Sequence, residues 1–131
     1  MNRASLSYFR KEFKAMGTPC DIQLFAADDA AIADVNRLEA RYSRYKTDSF
    51  LSEINQVATV GGNIIVDDET ASLLDYAVTC YEQSDGLFDI TSGILRRAWK
   101  FDQGKLPEQP LIDELLEKVG WHKVLWKRPL L

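Results

Sequence analysis

The hydrophobic period of this chain changes near residue 28, and that change limits the folds open to it. Residues 18–26 alternate, with Cys20, Ile22 and Leu24 on one side and Asp21 and Gln23 on the other. A period of two marks a strand. Residues 6–14 alternate more loosely, with Tyr8, Phe9 and Phe13 among charges. The Met16-Gly17-Thr18-Pro19 interruption predicts a turn or bulge between two strands. Asp28-Asp29 reads as a helix start. Beyond it Ile32, Val35, Leu38, Tyr42 and Tyr45 recur at steps of three and four, one apolar stripe of an amphipathic helix.

Further elements follow. Ser49 is placed to cap a short helix over Phe50–Asn55, Gly61-Gly62-Asn63 reads as a hairpin turn, and Ile64–Val66 as a short strand. Asp67-Asp68-Glu69 puts acids at a helix start, where the dipole favours them. Leu73, Leu74, Ala77, Val78 and Tyr81 would line the buried face of that helix, and Gly86 would end it in a left-handed conformation. Asp89–Gly93 reads as a loop and Ile94–Phe101 as a helix with Trp99 inward. Pro110 opens a helix with Ile112, Leu115, Leu116 and Val119 on its apolar face, and Gly120 stops it. Trp121–Lys127 alternates and predicts a strand. Strands and helices mix without regular βαβ alternation, so the expected class is α+β with a largely antiparallel sheet.

Composition narrows function more than fold. At 131 residues the chain amounts to one domain or part of one. Sixteen basic and twenty acidic side chains give −4, which argues against nucleic acid as a partner. With 46% hydrophobic and 27% charged residues, the mix is that of a globular protein. No apolar run approaches the roughly 20 residues of a membrane span. Cys20 and Cys80 form no CxxC pair and read as two partly buried thiols. Residues 1–15 lack the apolar segment of a secretory leader, and no lipobox precedes Cys20. As written, the chain is expected in the cytoplasm, with an exported or anchored parent if a leader has been removed. The abrupt Pro129-Leu130-Leu131 ending, straight after an expected strand, suggests that residues 1–131 are the front part of a larger domain.

Few residues carry chemistry by themselves. His122 is the one histidine, and no GxxxxGK[ST] or GxGxxG loop is present. Arg37, Arg41 and Arg44 form either a phosphate clamp or a solvated face with Asp34 and Glu39 as local partners. Tyr45, last in its stripe, belongs to core or rim, or leans over a planar ring. Asp85 and Asp89 flank Gly86 just after a helix C-terminus, the end that repels anions. Misplaced charge of this kind is expected at functional sites. Asp89 with Thr91 makes either a ligand-facing pair or a self-bonded turn.

Four segments in order carry a family resemblance. Met16-Gly17-Thr18 resembles the early MGT of the ApbE family, the flavin transferases formerly described as thiamine-biosynthesis lipoproteins. Tyr45-Lys46-Thr47-Asp48-Ser49 with Leu51-Ser52 and Ile54-Asn55 resembles its Y-x-x-x-S-x-[IL]-S-x-[IFL]-N. Ser84-Asp85-Gly86-Leu87-Phe88-Asp89-Ile90-Thr91 resembles S-x-G-x-[FM]-D-[IV]-T. Ile94-Leu95 with Trp99 and Phe101 resembles P-L-x-x-x-W-x-F, with Ile94 in place of proline. The resemblance implies a transferase that splits FAD, attaches FMN through a phosphoester to a threonine of a target flavoprotein, and releases AMP with magnesium. It implies FAD contacts at Met16, Tyr45, Leu87, Phe88 and Asp89, with Thr91 bracing the loop. The glycine-rich D-[LF]-G-G segment and the later metal-binding acid of the family do not occur here, so the magnesium ligands are expected beyond residue 131 and the isolated chain is expected to be inactive. The alternative is a non-catalytic flavin-binding or protein-interaction module.

Overall fold

The computed structural model describes residues 7–26, 30–99 and 104–131. They fall into two compact units, Met1–Gly62 and Asn63–Leu131. The expected helix start at Asp28-Asp29 and the end of the Ile94–Phe101 segment lie outside the described residues.

In the first unit, β1 (Ser7–Ala15) and β2 (Thr18–Ala26) form an antiparallel hairpin in which Phe13 faces Cys20 and Phe9 faces Leu24. Met16 and Gly17 turn it, with φ of 52° and 75°. Two successive positive φ values are what a two-residue hairpin turn matched to strand twist requires. Phe9, Phe13, Cys20, Ile22 and Leu24 are half-buried on one face, while Tyr8 and Phe25 stack edge-on at 5.8 Å on the other. Helix α1 (Ala30–Tyr42) packs on β1 and buries Ile32. Its stripe ends at Tyr42, so Tyr45 and Arg44 stand in the following loop.

Helix α2 (Phe50–Val60) packs on α1. Buried Ser49 caps it, accepting from the Ser52 amide at 3.1 Å and donating to the Ser43 carbonyl at 2.6 Å. The helix runs past Asn55 because no breaker occurs before Gly61. There the Gly61 and Gly62 amides bond back to the Ala58 and Val57 carbonyls. The expected hairpin turn is therefore a left-handed helix cap.

The second unit is built on α3 (Asp68–Gln83). Asp67 caps it, accepting from the Thr70 amide at 3.1 Å. Thr70, Ala71, Leu74 and Ala77 form its buried face. Leu73 lies one step off that face and is half exposed, which corrects the wider stripe read from the sequence. Before α3, Ile64–Val66 makes a bridge rather than a strand: Ile64 and Leu131 exchange amide bonds at 2.8 and 3.0 Å, and the Val66 amide donates to the Pro129 carbonyl at 3.0 Å. The tail is also fastened to α3. Asp75 accepts from the Trp126 indole and from Arg128, each at 2.8 Å, and Asp68 accepts from Arg128 at 2.9 Å.

Two expectations fail here for one reason. Trp121–Lys127 is not a strand: Trp121–Lys123 is a 3₁₀ turn, and the Gly120 and Trp121 amides are bound by side chains rather than by a neighbouring strand. Residues 89–93 are not a loop before a helix at Ile94; a 3₁₀ helix spans Ile90–Arg97, because Asp89 caps it. Trp99 follows, half-buried. Helix α4 (Gln109–Leu116) opens with Pro110 in its first turn, buries Leu115 and packs on that 3₁₀ helix. Among the described residues no helix is long and apolar enough to cross a membrane.

Candidate functional site

The segment after α3 is shaped by two left-handed residues. Asp85 and Gly86 have φ of 53° and 78°, and the Gly86 amide bonds back to the Tyr81 carbonyl at 2.9 Å. Aspartate is one of the few residues that tolerates this region, and glycine enters it freely. The chain reverses over these two residues. Ser84 then holds the near side of the reversal: its hydroxyl accepts from the Phe88 amide at 2.8 Å, and its carbonyl accepts from the Leu87 amide at 3.1 Å. Leu87 and Phe88 are left at the tip, 92% and 47% exposed.

Asp89 holds the far side. Its Oδ1 accepts from the Thr91 amide at 2.8 Å and the Thr91 hydroxyl at 2.6 Å. Its Oδ2 accepts from the Trp121 amide at 2.9 Å, and the Thr91 oxygen accepts from the Gly120 amide at 2.8 Å. Burial pushes the Asp89 carboxyl up, but the bonds from Thr91 and Trp121, aided by the positive potential of His122, together hold it below the ordinary carboxylate value. Asp89 is thus ionised at neutral pH. The self-bonded turn weighed from the sequence is present, and Thr91 does brace the loop. A carboxylate has about four acceptor positions. Among the described residues one position on Oδ2 is left over.

Met16 and Tyr45 belong to the first unit. Met16, 73% exposed, sits in the left-handed hairpin turn, and its amide donates to Glu39 of α1 at 2.8 Å. Glu39 thereby fastens the turn to the helix instead of serving the arginine row. Tyr45 is 68% exposed, with the Arg44 guanidinium 5.3 Å from its ring centre. The arginine row is broken up: Arg37 pairs with Asp34 at 2.9 Å, and Arg41 lies 4.6 Å over the Phe50 ring. The acids at 67–69 have structural partners, Asp67 as cap and Asp68 against Arg128. Among the described residues no group of three His, Cys, Asp or Glu is arranged to hold a metal. Sequence reasoning missed Gly120, Trp121 and Glu39. Gly120 left a signal as a glycine after a helix, but its amide's partner lies 29 positions upstream and left none.

The profile described as the ApbE family matches residues 16–130. The chain belongs to the ApbE family. All five expected FAD contacts fall inside the ApbE match. A curated relative, the FAD:protein FMN transferase of Haemophilus influenzae, is 35% identical over 94 residues, which is 71% of this chain and 26% of the relative. The crystal structure of the ApbE protein of Thermotoga maritima superposes with a TM-score of 0.79 at 26% identity, covering 92% of this chain and 42% of that one. The α+β class read from the sequence agrees with that ApbE fold. The chain spans about a quarter of the curated ApbE relative and under half of the solved one.

Proposed function

We propose that this chain is the flavin-holding front portion, residues 1–131, of a FAD:protein FMN transferase. The observation that carries the reading is family membership over residues 16–130 together with the name of the Haemophilus influenzae relative. In this reading FAD is the substrate, and a threonine hydroxyl of a target flavoprotein attacks the FMN phosphorus. The bond between the two phosphates breaks, AMP leaves, and the threonine proton passes to solvent. Met16, Tyr45, Leu87, Phe88 and Asp89 contact FAD.

The exposure pattern supports these roles. Met16, Tyr45, Leu87 and Phe88 are all exposed large apolar side chains. Apolar area left in water forfeits about 25 cal/mol per Å² that burial would return. Covering it with a planar ring recovers that energy, and Tyr45 and Phe88 offer the flat faces suited to stacking. Asp89 contributes its remaining acceptor position. Magnesium would neutralise charge on the phosphates of such a reaction. In this reading the part assigned to this chain is binding and orientation. The magnesium ligands, in this reading, lie beyond residue 131, and the isolated chain does not transfer FMN.

Flavin fluorescence tests the proposal. The purified chain is expected to quench FAD in a saturable titration, with Phe88→Ala and Tyr45→Ala each weakening it by about tenfold, the size of one lost aromatic contact. An unchanged FAD signal would overturn the binding role. FMN transfer to a target threonine by this chain alone, with FAD and magnesium, would overturn its assignment as the binding portion.

A further inference from the structure

The Leu87–Phe88 tip has little packing of its own, so something else must set its direction. Its near end is tied to Ser84, an immediate neighbour. Its far end is tied through Asp89 to residues 32 positions downstream. Thr91 sits in the middle of that second tie. Its single hydroxyl proton goes to Asp89 Oδ1, which leaves an oxygen lone pair aimed at the Gly120 amide. Gly120 is buried, so its amide has no ready water to replace Thr91. The Trp121 amide closes the loop of bonds on Asp89 Oδ2. The segment carrying both amides is itself tied to the turn that follows α4, where the Lys123 ammonium donates to the Val119 carbonyl at 2.8 Å and also to that of Glu117.

We propose that Thr91 and the Gly120–Trp121 backbone form a positioning clamp that sets the flavin affinity of the Leu87–Phe88 tip without touching flavin. This rests on the flavin reading of the loop. The pattern of donors supports it over simple turn stability. An Asx turn needs only Asp89 and the Thr91 amide. The two downstream amides add nothing to the turn but fix how it lies on the rest of the unit. Holding a binding group's orientation through such indirect partners reduces the ordering cost of ligand binding.

The experiment compares the chain with Thr91→Val, which keeps the shape and loses both bonds, and Thr91→Ser, which keeps the hydroxyl. FAD titrations are read by fluorescence and visible absorption well below the unfolding temperature of every variant. Amide exchange at Gly120, Trp121 and Phe88 is read in parallel. Expected are about tenfold weaker FAD binding and at least about tenfold faster Gly120 exchange for Thr91→Val, with Thr91→Ser within about threefold of wild type. Faster exchange in Thr91→Val with unchanged FAD affinity would overturn the clamp and leave the flavin reading standing. So would an equal loss of affinity in Thr91→Ser. A wild-type chain that does not perturb FAD, while its Gly120 protection still falls in Thr91→Val, would overturn the flavin reading and this proposal together.

Discussion

Replacing Gly120 by alanine separates two kinds of strain. A Cβ at this position would lie 2.5 Å from His122 Cε1 and 2.9 Å from His122 Nδ1, inside any real contact distance. His122 is exposed, however, so its ring can swing into another staggered rotamer at little cost. The backbone has no such escape. Gly120 has φ of 145° and ψ of 111°, a region side chains rarely enter, and holding a non-glycine residue there costs about 1–3 kcal/mol. Alanine returns about 0.4–1 kcal/mol by restricting the unfolded chain. The net expectation is a loss of about 1–2 kcal/mol. For a unit of this size class that lowers the melting temperature by roughly 4–8 °C per kcal/mol. Tryptophan fluorescence reports the right region, since Trp99, Trp121 and Trp126 all lie in the second unit. Urea unfolding of Gly120→Ala, His122→Ala and the double variant partitions the strain. If backbone conformation dominates, Gly120→Ala still costs at least about 1 kcal/mol in the His122→Ala background. A cost below about 0.5 kcal/mol there would refute the backbone argument and leave only the clash with the ring.

Three further outcomes follow from the same geometry. Asp67→Ala removes the cap of α3 and is expected to cost about 1 kcal/mol in urea unfolding followed by tryptophan fluorescence. Ser49→Ala removes both the α2 cap and the bond to the Ser43 carbonyl, and should raise amide exchange at Ser52 by tenfold or more, for about 1–2 kcal/mol. Asp89 and Asp75 both sit below the ordinary aspartate value of 3.8 in the folded chain. Their stabilising effect is complete above that value and is lost as pH falls through the lower folded values. An acid titration followed by tryptophan fluorescence should therefore show stability falling below about pH 3.8, less steeply in Asp89→Asn, which has no carboxyl to protonate.

What the sequence made legible was local. The hairpin could be read because alternation and a glycine turn are written within about twenty residues. Helix α3 could be read because its acidic start and its Gly86 end bracket one apolar repeat. Pro110 marked α4 for the same reason. The five expected flavin contacts came from motif resemblance, since Met16, Tyr45 and Leu87 look on periodicity alone like ordinary apolar residues. The errors fall where distant groups compete for the backbone. Trp121–Lys127 has a period of two, yet alternation states only which residues share a side. It does not state where their amides find acceptors.

A strand at Trp121 would need acceptors from a neighbouring strand. Thr91 and Asp89 occupy the Gly120 and Trp121 amides first, and the Trp121 bond to the Asp89 carboxylate is charge-assisted, about twice as strong as a neutral one. The same two residues convert the expected 89–93 loop into the start of a 3₁₀ helix. So the two misread segments are the two halves of one interaction. The clue present in the sequence was electrostatic rather than periodic: Asp89 follows closely on the C-terminus of α3, where a carboxylate needs donors that the helix does not supply. Here those donors are the Thr91 amide and hydroxyl and the Trp121 amide. An anion placed against the helix dipole thus signals that some other part of the chain must bring its backbone to meet it.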